Sequence, residues 1–434
     1  MAIAFLALFK IDVDDGTLGV GVVSGVVVVG GVRRSALISL SNLSDDRMRA
    51  AKHGQWWTTE PQRALANNSA CYTEKPDIGV FMDEWKALYE SKSGERGIFN
   101  RESAVKVSEQ SGRRNTTEYA FGTNPCSEII LRNREFCNLS EVVVRPSDTR
   151  ETLLEKVRLA TILGTFQSTL VNFKYVSSAW RKNCEEERLL GVSLTGIMDS
   201  KLLNGKAPRQ TLPALLQDLK NEAVRTNAEL SKKIGINQSV SVTCIKPSGT
   251  VSQLVDAASG IHARHNPYYI RTVRGDKKDP LTKMMMDSGF PVEDDAMNPS
   301  HTSVFSFPMK VDEGAVFRTD LSAIEQLELW LTYQKYWCEH KPSVTISVKE
   351  SEWLEVGAWV YKHFDYMSGV SFLPFAEHTY KQAPYQDIKK EEYEVLLDQM
   401  PKDVEWSRLS EYEKTDMTIG SQELACAAGG CEIQ

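Results

Sequence analysis

The sequence has little that would place it in a membrane, a secreted scaffold or a nucleic-acid complex. No apolar run approaches the roughly 18–20 residues of a spanning helix. The apolar start, Met1 to Phe9, has no basic residues before it. Lys10, Asp12, Asp14 and Asp15 follow with no small-residue cleavage site, so no signal peptide is expected. The eight cysteines are scattered, with no CxxC and no Cys/His cluster at zinc-finger spacing. No metal site is expected from them. In a reducing cytosol, where this chain is expected to reside, paired cysteines are more readily catalytic than structural. The net charge of -7 argues against a broad nucleic-acid footprint. It does not exclude nucleotides, because backbone N–H groups can hold phosphate in an acidic protein. There is no internal repeat and no long low-complexity run.

What is present is an ordinary globular balance, 41% hydrophobic and 25% charged over 434 residues. That is room for two or three domains, or for one large barrel-like domain. Val20 to Val29 reads as a buried strand that turns at Gly30-Gly31 into another. Ser44 is expected to cap a short helix, Asp45 to Lys52, with Gly54 beyond its end. Helices are expected from about Thr149 to Phe173, with Leu153, Val157 and Ala160 on one face, and from Pro213 to Ile234, closed by Gly235. Ser239 to Ile245 alternates like a strand. A helix around Ile324 to Leu331 precedes a strand at Ser343 to Val348. Helices alternating with strands argue for a largely parallel α/β architecture. Ser421 to Gln434 is small and polar and cannot bury much.

Three segments carry chemistry. Asn124-Pro125-Cys126-Ser127-Glu128 is a loop, because Pro125 cannot donate to a ladder. It sets a thiol beside an amide and a carboxylate: sulfur for nucleophilic, metal or radical work, Glu128 to move a proton, Asn124 to orient a hydroxyl. Cys137 follows Cys126 by eleven residues. Lys246-Pro247-Ser248-Gly249-Thr250-Val251 joins a strand to a helix, where free N–H groups suit phosphate. Cys426 and Cys431 sit on the C-terminal stretch, where a tethered pair suits thiol–disulfide exchange.

The run Phe121-Gly122-Thr123-Asn124-Pro125-Cys126-Ser127-Glu128-Ile129, followed by Phe136-Cys137-Asn138-Leu139-Ser140, resembles the finger loop of ribonucleotide reductases. It is most similar to the adenosylcobalamin-dependent class II enzymes of the monomeric, triphosphate-reducing type. The resemblance implies that Cys126 carries a thiyl radical and abstracts the ribose 3′ hydrogen. Glu128 would take the 3′-hydroxyl proton, and Asn124 would hydrogen-bond the ribose hydroxyls. Cys137 would be one of two reducing thiols, and Cys426/Cys431 would shuttle electrons from a thioredoxin-like or dithiol reductant. Ser248, Gly249, Thr250 and Val251 would contact the phosphates of a ribonucleoside triphosphate. Gly31 to Ala36, Asn67-Asn68-Ser69, Gly97 to Arg101, Gly191 to Gly196 and Gly369 to Pro374 also resemble the family, as barrel strands and turns. Cys71, Cys184, Cys244 and Cys338 lie off the motifs and are expected to be structural.

The implied fold is the ten-stranded α/β barrel of this family around a central finger loop, incomplete at its N-terminal side. Residues 1–25 are atypical, 26–123 are the remainder of the first half-barrel, and 124–137 are the finger loop. The second half-barrel with the phosphate loop is 138–375, followed by a C-terminal region 376–418 and a redox tail 419–434. The family's second reducing cysteine lies far upstream of the loop, and Cys71 is in the wrong motif to be that residue. Most of the first half-barrel is therefore expected to be missing, and its partner thiol with it. An N-terminal half on a separate polypeptide is one answer; a catalytically incomplete nucleotide-binding fragment is another. An iron-type large subunit needing a radical-generating small subunit is the third reading. The Cys126–Cys137 spacing disfavours it, and Tyr268-Tyr269 comes too soon after the phosphate loop to be that class's tyrosine relay.

Overall fold

The architecture was read from a computed structural model that describes residues 28–29, 32–33, 36–60, 63, 66–207, 211–296, 298–375 and 381–413. Eight extended segments form one continuous sheet. Apart from a short antiparallel pair, β1 (Val28–Val29) and β2 (Val32–Arg33), strand β3 (Leu37–Ser41) lies parallel to β4 (Ala66–Tyr72), and β4 parallel to β5 (Gly97–Asn100). Farther along the chain, β8 (Asn138–Val143) runs parallel to β9 (Leu190–Thr195). Val192 bridges to Thr243, and Ile245 to Pro342, both parallel, so the Ser241–Ile245 segment links β9 to β13 (Val344–Val348). Strand β13 pairs in parallel with β14 (Ser368–Pro374), and β14 meets β5 antiparallel. Five parallel segments thus face three parallel strands of opposite direction. Among the described residues β3 and β8 each have a single neighbour in this sheet, and the barrel is not closed.

The hydrophobic pattern explains the layers. The central strands β5 and β9 are buried at every position, where helices cover the outside and the finger loop fills the inside, while β3 and β8, which each have one described neighbour, are mostly half-buried. Helix α1 (Ile78–Ser91) buries Phe81, Trp85 and Leu88 against β14 and helix α6 (Trp353–Lys362). Helix α2 (Arg150–Gln167) covers β8 and β9 with Leu153, Val157 and Ala160, as expected, and packs on α4 (Thr211–Ile234). Helix α3 (Ser178–Glu187) lies between them in sequence. Helix α5 (Ala323–Tyr336) inserts Trp330 and Tyr333 into the main core. The Trp330 and Trp337 indoles donate to the Pro342 and Cys244 carbonyls at 2.8 Å each. These two indole N–H groups are thereby satisfied inside the core.

Several boundaries differ from the sequence reading. The first short helix is Asp46–Arg49, and its cap is Asp45 rather than Ser44, with the Asp45 carboxylate accepting from the Met48 N–H. Helix α2 stops at Gln167, six residues early, because Ser168 and Thr169 close a turn on Gly164 and Phe166. The Ser239–Ile245 stretch does not alternate between core and solvent: Ser241, Val242, Thr243 and Cys244 are all fully buried. A separate antiparallel sheet was not anticipated. It has the order β11 (Val292–Asp294), β12 (Thr302–Lys310), β10 (Tyr268–Asp276), β15 (Tyr385–Asp387). Tyr268 and Tyr269 are packing residues of β10, as expected.

Candidate active site

Between β5 and β8 the chain makes a hairpin of β6 (Gly122–Thr123) and β7 (Ile130–Leu131). Its tip is a turn in which the Ser127 N–H donates to the Asn124 carbonyl at 2.9 Å. Pro125 takes the second turn position, which its fixed φ suits, and Cys126 the third. Ser127 then adopts a φ of 62°, strained for a residue with a side chain. Asn124 Oδ1 accepts from the Ile129 N–H at 3.0 Å, and Thr123 Oγ1 donates to the Ile129 carbonyl at 2.8 Å. The motif that carries the thiol thus also folds its own loop.

Both halves of the sheet hold this loop. Asn67 on β4 donates from Nδ2 to the Pro125 carbonyl at 2.6 Å. From the other half, the Lys341 N–H donates to the Glu128 carbonyl at 2.9 Å, and Nδ1 of His340 accepts from the Ile130 N–H at 3.2 Å. His340 Nε2 then carries the proton and donates to the Leu190 carbonyl at 3.0 Å. Burial, helped by the Arg114 charge, pushes this imidazole down to about 3, so it stays neutral. Gly369, at φ 75°, is required: a Cβ there would lie 2.9 Å from the Pro342 carbonyl oxygen and 3.1 Å from that of Ser127.

The tip opens on a cavity of about 410 Å³. Cys126 stands on its wall, with Asn67, Asn68 and Ser69 of β4 on one side and Lys246 to Val251 on another. The latter loop follows the Ser241–Ile245 segment. Ser248 has a φ of 58°, and the loop leads into a single helical turn, Val251–Leu254, not a long helix. The Ser248 and Thr250 carbonyls accept from Ser252 and Leu254, while the Gly249, Thr250 and Val251 N–H groups donate to no backbone carbonyl among the described residues. Gly260 packs on the loop so closely that a Cβ would come 2.3 Å from the Lys246 oxygen. Successive N–H groups beside a left-handed residue form an anion-binding concavity.

Glu128 is fully buried, off the cavity wall, and neither carboxylate oxygen has a hydrogen-bond partner among the described residues. An orphaned buried carboxylate marks either strain or a group awaiting a partner. Lys246 lies close to it. Burial works against the Lys246 ammonium, but Glu128 first, then Cys126, hold its pKa above the ordinary value. Cys137 immediately precedes β8 and is not on the cavity wall. Burial, with Glu135 and Glu128 nearby, pushes its thiol well up, so at neutral pH it is protonated. The structure therefore brings Cys126 and the Ser248–Val251 loop to one cavity and leaves Asn124, Glu128 and Cys137 behind the tip. Cys426 and Cys431 lie outside the described residues. Asn67 and Lys246 lie inside segments that resemble the family, but nothing local in the sequence marks their place at the finger loop. Nothing local to His340 or Lys341 signalled their place behind the finger. Among the described residues no group of His, Cys, Asp and Glu could hold a metal ion, and no helix is long and apolar enough to cross a membrane.

No family model matches the chain. Curated relatives do match it along most of its length. An adenosylcobalamin-dependent ribonucleoside-triphosphate reductase of Levilactobacillus brevis is 27% identical over 444 residues, covering 94% of this chain. One of Euglena gracilis is 28% identical over 402 residues, covering 89%. A crystal structure of B12-dependent, class II ribonucleotide reductase superposes with a TM-score of 0.70 at 25% identity, over 88% of this chain and 56% of that one.

The fold is of the ribonucleotide reductase type.

The alpha subunit of the Actinobacillus ureae class Id ribonucleotide reductase shares that fold alone, with a TM-score of 0.50 at 14% identity over 80% of this chain and 72% of that one. The chain spans 57% of the Levilactobacillus relative and 52% of the Euglena one.

Proposed function

We propose that the chain carries the radical-cysteine and phosphate-binding part of a ribonucleotide reductase acting on ribonucleoside triphosphates. One observation carries the reading: Cys126 and the Ser248–Val251 loop, far apart in sequence, open on the same cavity. A nucleotide with its phosphates on the loop N–H groups would bring its sugar toward the Cys126 thiol. Adenosylcobalamin, named in the relatives, supplies when bound the radical that takes the thiol hydrogen. Cys126 fits that role because its thiol stands on an accessible wall, not in the closed core. No described residue is assigned to hold the corrin.

The Cys126 thiyl takes the 3′ hydrogen of the ribose and returns it to C3′ once the 2′ position is reduced. Glu128, whose carboxylate has no partner behind the tip, accepts the 3′-hydroxyl proton, which requires the sugar to reach past the cavity wall. Asn124 has its Oδ1 committed to the loop, which leaves its Nδ2 for the ribose hydroxyls. The 2′ oxygen leaves as water. Cys137 and a second thiol give two electrons and two protons and close as a disulfide, which Cys426 and Cys431 reduce by exchange with a thioredoxin-like protein or a small dithiol. This cycle suits a reducing cytoplasm. The second thiol would come from the region the relatives have and this chain does not cover.

The test is deoxynucleotide formation by the purified chain with adenosylcobalamin, ribonucleoside triphosphates and dithiothreitol, alone and with the N-terminal portion of a relative in trans. Activity only with that portion, abolished by Cys126→Ser, supports the reading. Persistent activity of Cys126→Ser would sink the finger-loop assignment. Nucleotide binding without turnover in either mixture would identify a catalytically incomplete binding chain.

A further inference from the structure

The phosphate loop leaves the sheet at a defined rung. Up to that point the Ser241–Ile245 segment and the chain leading into β13 exchange parallel ladder bonds. The Ile245 N–H donates to the Lys341 carbonyl at 3.2 Å, and the Ser343 N–H to the Ile245 carbonyl at 2.8 Å. The next rung falls to residue 247 and to Thr345. Pro247 has no N–H to give, and its carbonyl lies beside Gly260, where a Cβ would stand 3.4 Å from it. The Thr345 N–H donates instead to Nε2 of His262, at 3.0 Å. The imidazole thus stands where a strand carbonyl would be.

The other side of the ring reaches the segment that packs under the loop. His262 Nδ1 donates to the Ser259 carbonyl at 2.9 Å, which fixes the tautomer that leaves Nε2 free to accept. Burial holds the imidazole below its ordinary pKa, so at neutral pH it is uncharged. Ser259 Oγ is 2.7 Å from Ser252 Oγ, in the helical turn that follows the loop, and the Gly260 N–H donates to Thr195 Oγ1 at 3.0 Å. One side chain therefore joins the floor of the loop to β13, whose Thr345 stands on the cavity wall.

We propose that His262 is a positioning residue for the substrate phosphates: by taking the ladder place that Pro247 leaves, it holds the Ser248–Val251 loop in register with the Cys126 tip. The inference rests on the phosphate reading of that loop. His262 is not on the cavity wall, so it acts through Ser259, Gly260 and Thr345 rather than by contact with the nucleotide. Binding groups held by such a support lose their geometry when it is removed.

The experiment measures binding of inorganic tripolyphosphate and of cytidine triphosphate to the full chain by titration calorimetry, with hydrogen exchange of the peptides spanning 246–254. His262→Ala is expected to weaken both ligands by about tenfold and to speed exchange of that segment. His262→Gln, whose amide can accept from Thr345 and donate to Ser259, is expected to recover most of the affinity. Asn227→Ala is the control for general destabilisation, because the buried Asn227 of α4 bonds to Thr165 and Ser239, away from the loop. It should bind as wild type does. Equal affinity in His262→Ala and wild type overturns the proposal and leaves the phosphate role of the loop standing. So does a Gln variant no better than the Ala variant, or an equal loss in Asn227→Ala. A wild-type chain that binds neither ligand overturns the phosphate reading, and this proposal with it.

Discussion

Asn67 holds the peptide that precedes Cys126: its Nδ2 donates to the Pro125 carbonyl at 2.6 Å, from a strand of the opposite direction to those behind the loop. This one hydrogen bond ties the thiol-bearing tip to the far half of the sheet. Asn67→Ala is expected to lower stability by about 1–2 kcal/mol. It should also free the tip, so that iodoacetamide labels Cys126 faster relative to Cys71, read by peptide mass spectrometry. An unchanged labelling ratio would show that the bond does not hold the loop.

His340 ties folding to pH. Its folded pKa of about 3 lies below the ordinary 6.5, first because it is buried and then because of Arg114. The unfolded chain therefore binds the extra proton between these values. The stability His340 contributes is present above pH 6.5 and is lost as pH falls toward 3, on the order of a few kcal/mol in all. Protonated, the ring could no longer accept from Ile130. In urea titrations from pH 7 to 4, His340→Gln should lose less stability than wild type over the same range. Parallel curves would assign the acid sensitivity elsewhere.

Lys341 has the opposite pH range. It is fully buried, with Nζ 2.5 Å from Ser103 Oγ and 3.3 Å from the Tyr366 carbonyl, and burial lowers its pKa to about 7. The neutral amine is the favoured folded form, so its penalty is complete below pH 7 and is relieved as pH rises toward the unfolded 10.5. Lys341→Met should gain on wild type by a few kcal/mol at pH 6.5, and the gain should shrink by pH 9.5. A constant difference across that range would mean the site stays hydrated.

Gly369→Ala tests the close packing behind the tip. The new Cβ would press on two carbonyl oxygens at a φ that disfavours it. A loss of about 1–3 kcal/mol in chemical denaturation is expected, with faster labelling of Cys126, because one of those oxygens belongs to Ser127. Full stability would show that the backbone yields there at little cost.

The C-terminal pair is tested by reductant. If Cys426 and Cys431 are the shuttle, Cys426→Ser should leave dithiothreitol-driven turnover of the reconstituted enzyme intact and stop turnover driven by thioredoxin. Equal loss with both reductants would argue against that role.

The sequence by itself determined the parts that are local. Asn124-Pro125-Cys126-Ser127 closes a turn because proline fits its second position and the Asn124 and Thr123 side chains tie its base. The amphipathic spacing of Leu153, Val157 and Ala160 makes α2, and the alternation of helices with strands makes the sheet mostly parallel. Ends were read less well, since Asp45 and Ser168 act through hydrogen bonds that depend on which turn closes first. The tertiary structure alone decided which distant groups meet. Asn67, His340 and Lys341 reach the finger loop across the sheet, and no local pattern marks them, because their partners are backbone atoms that every residue has. It also decided that Cys126 faces the cavity and Glu128 does not, a difference set by the left-handed Ser127 between them and by the carbonyl that Lys341 holds.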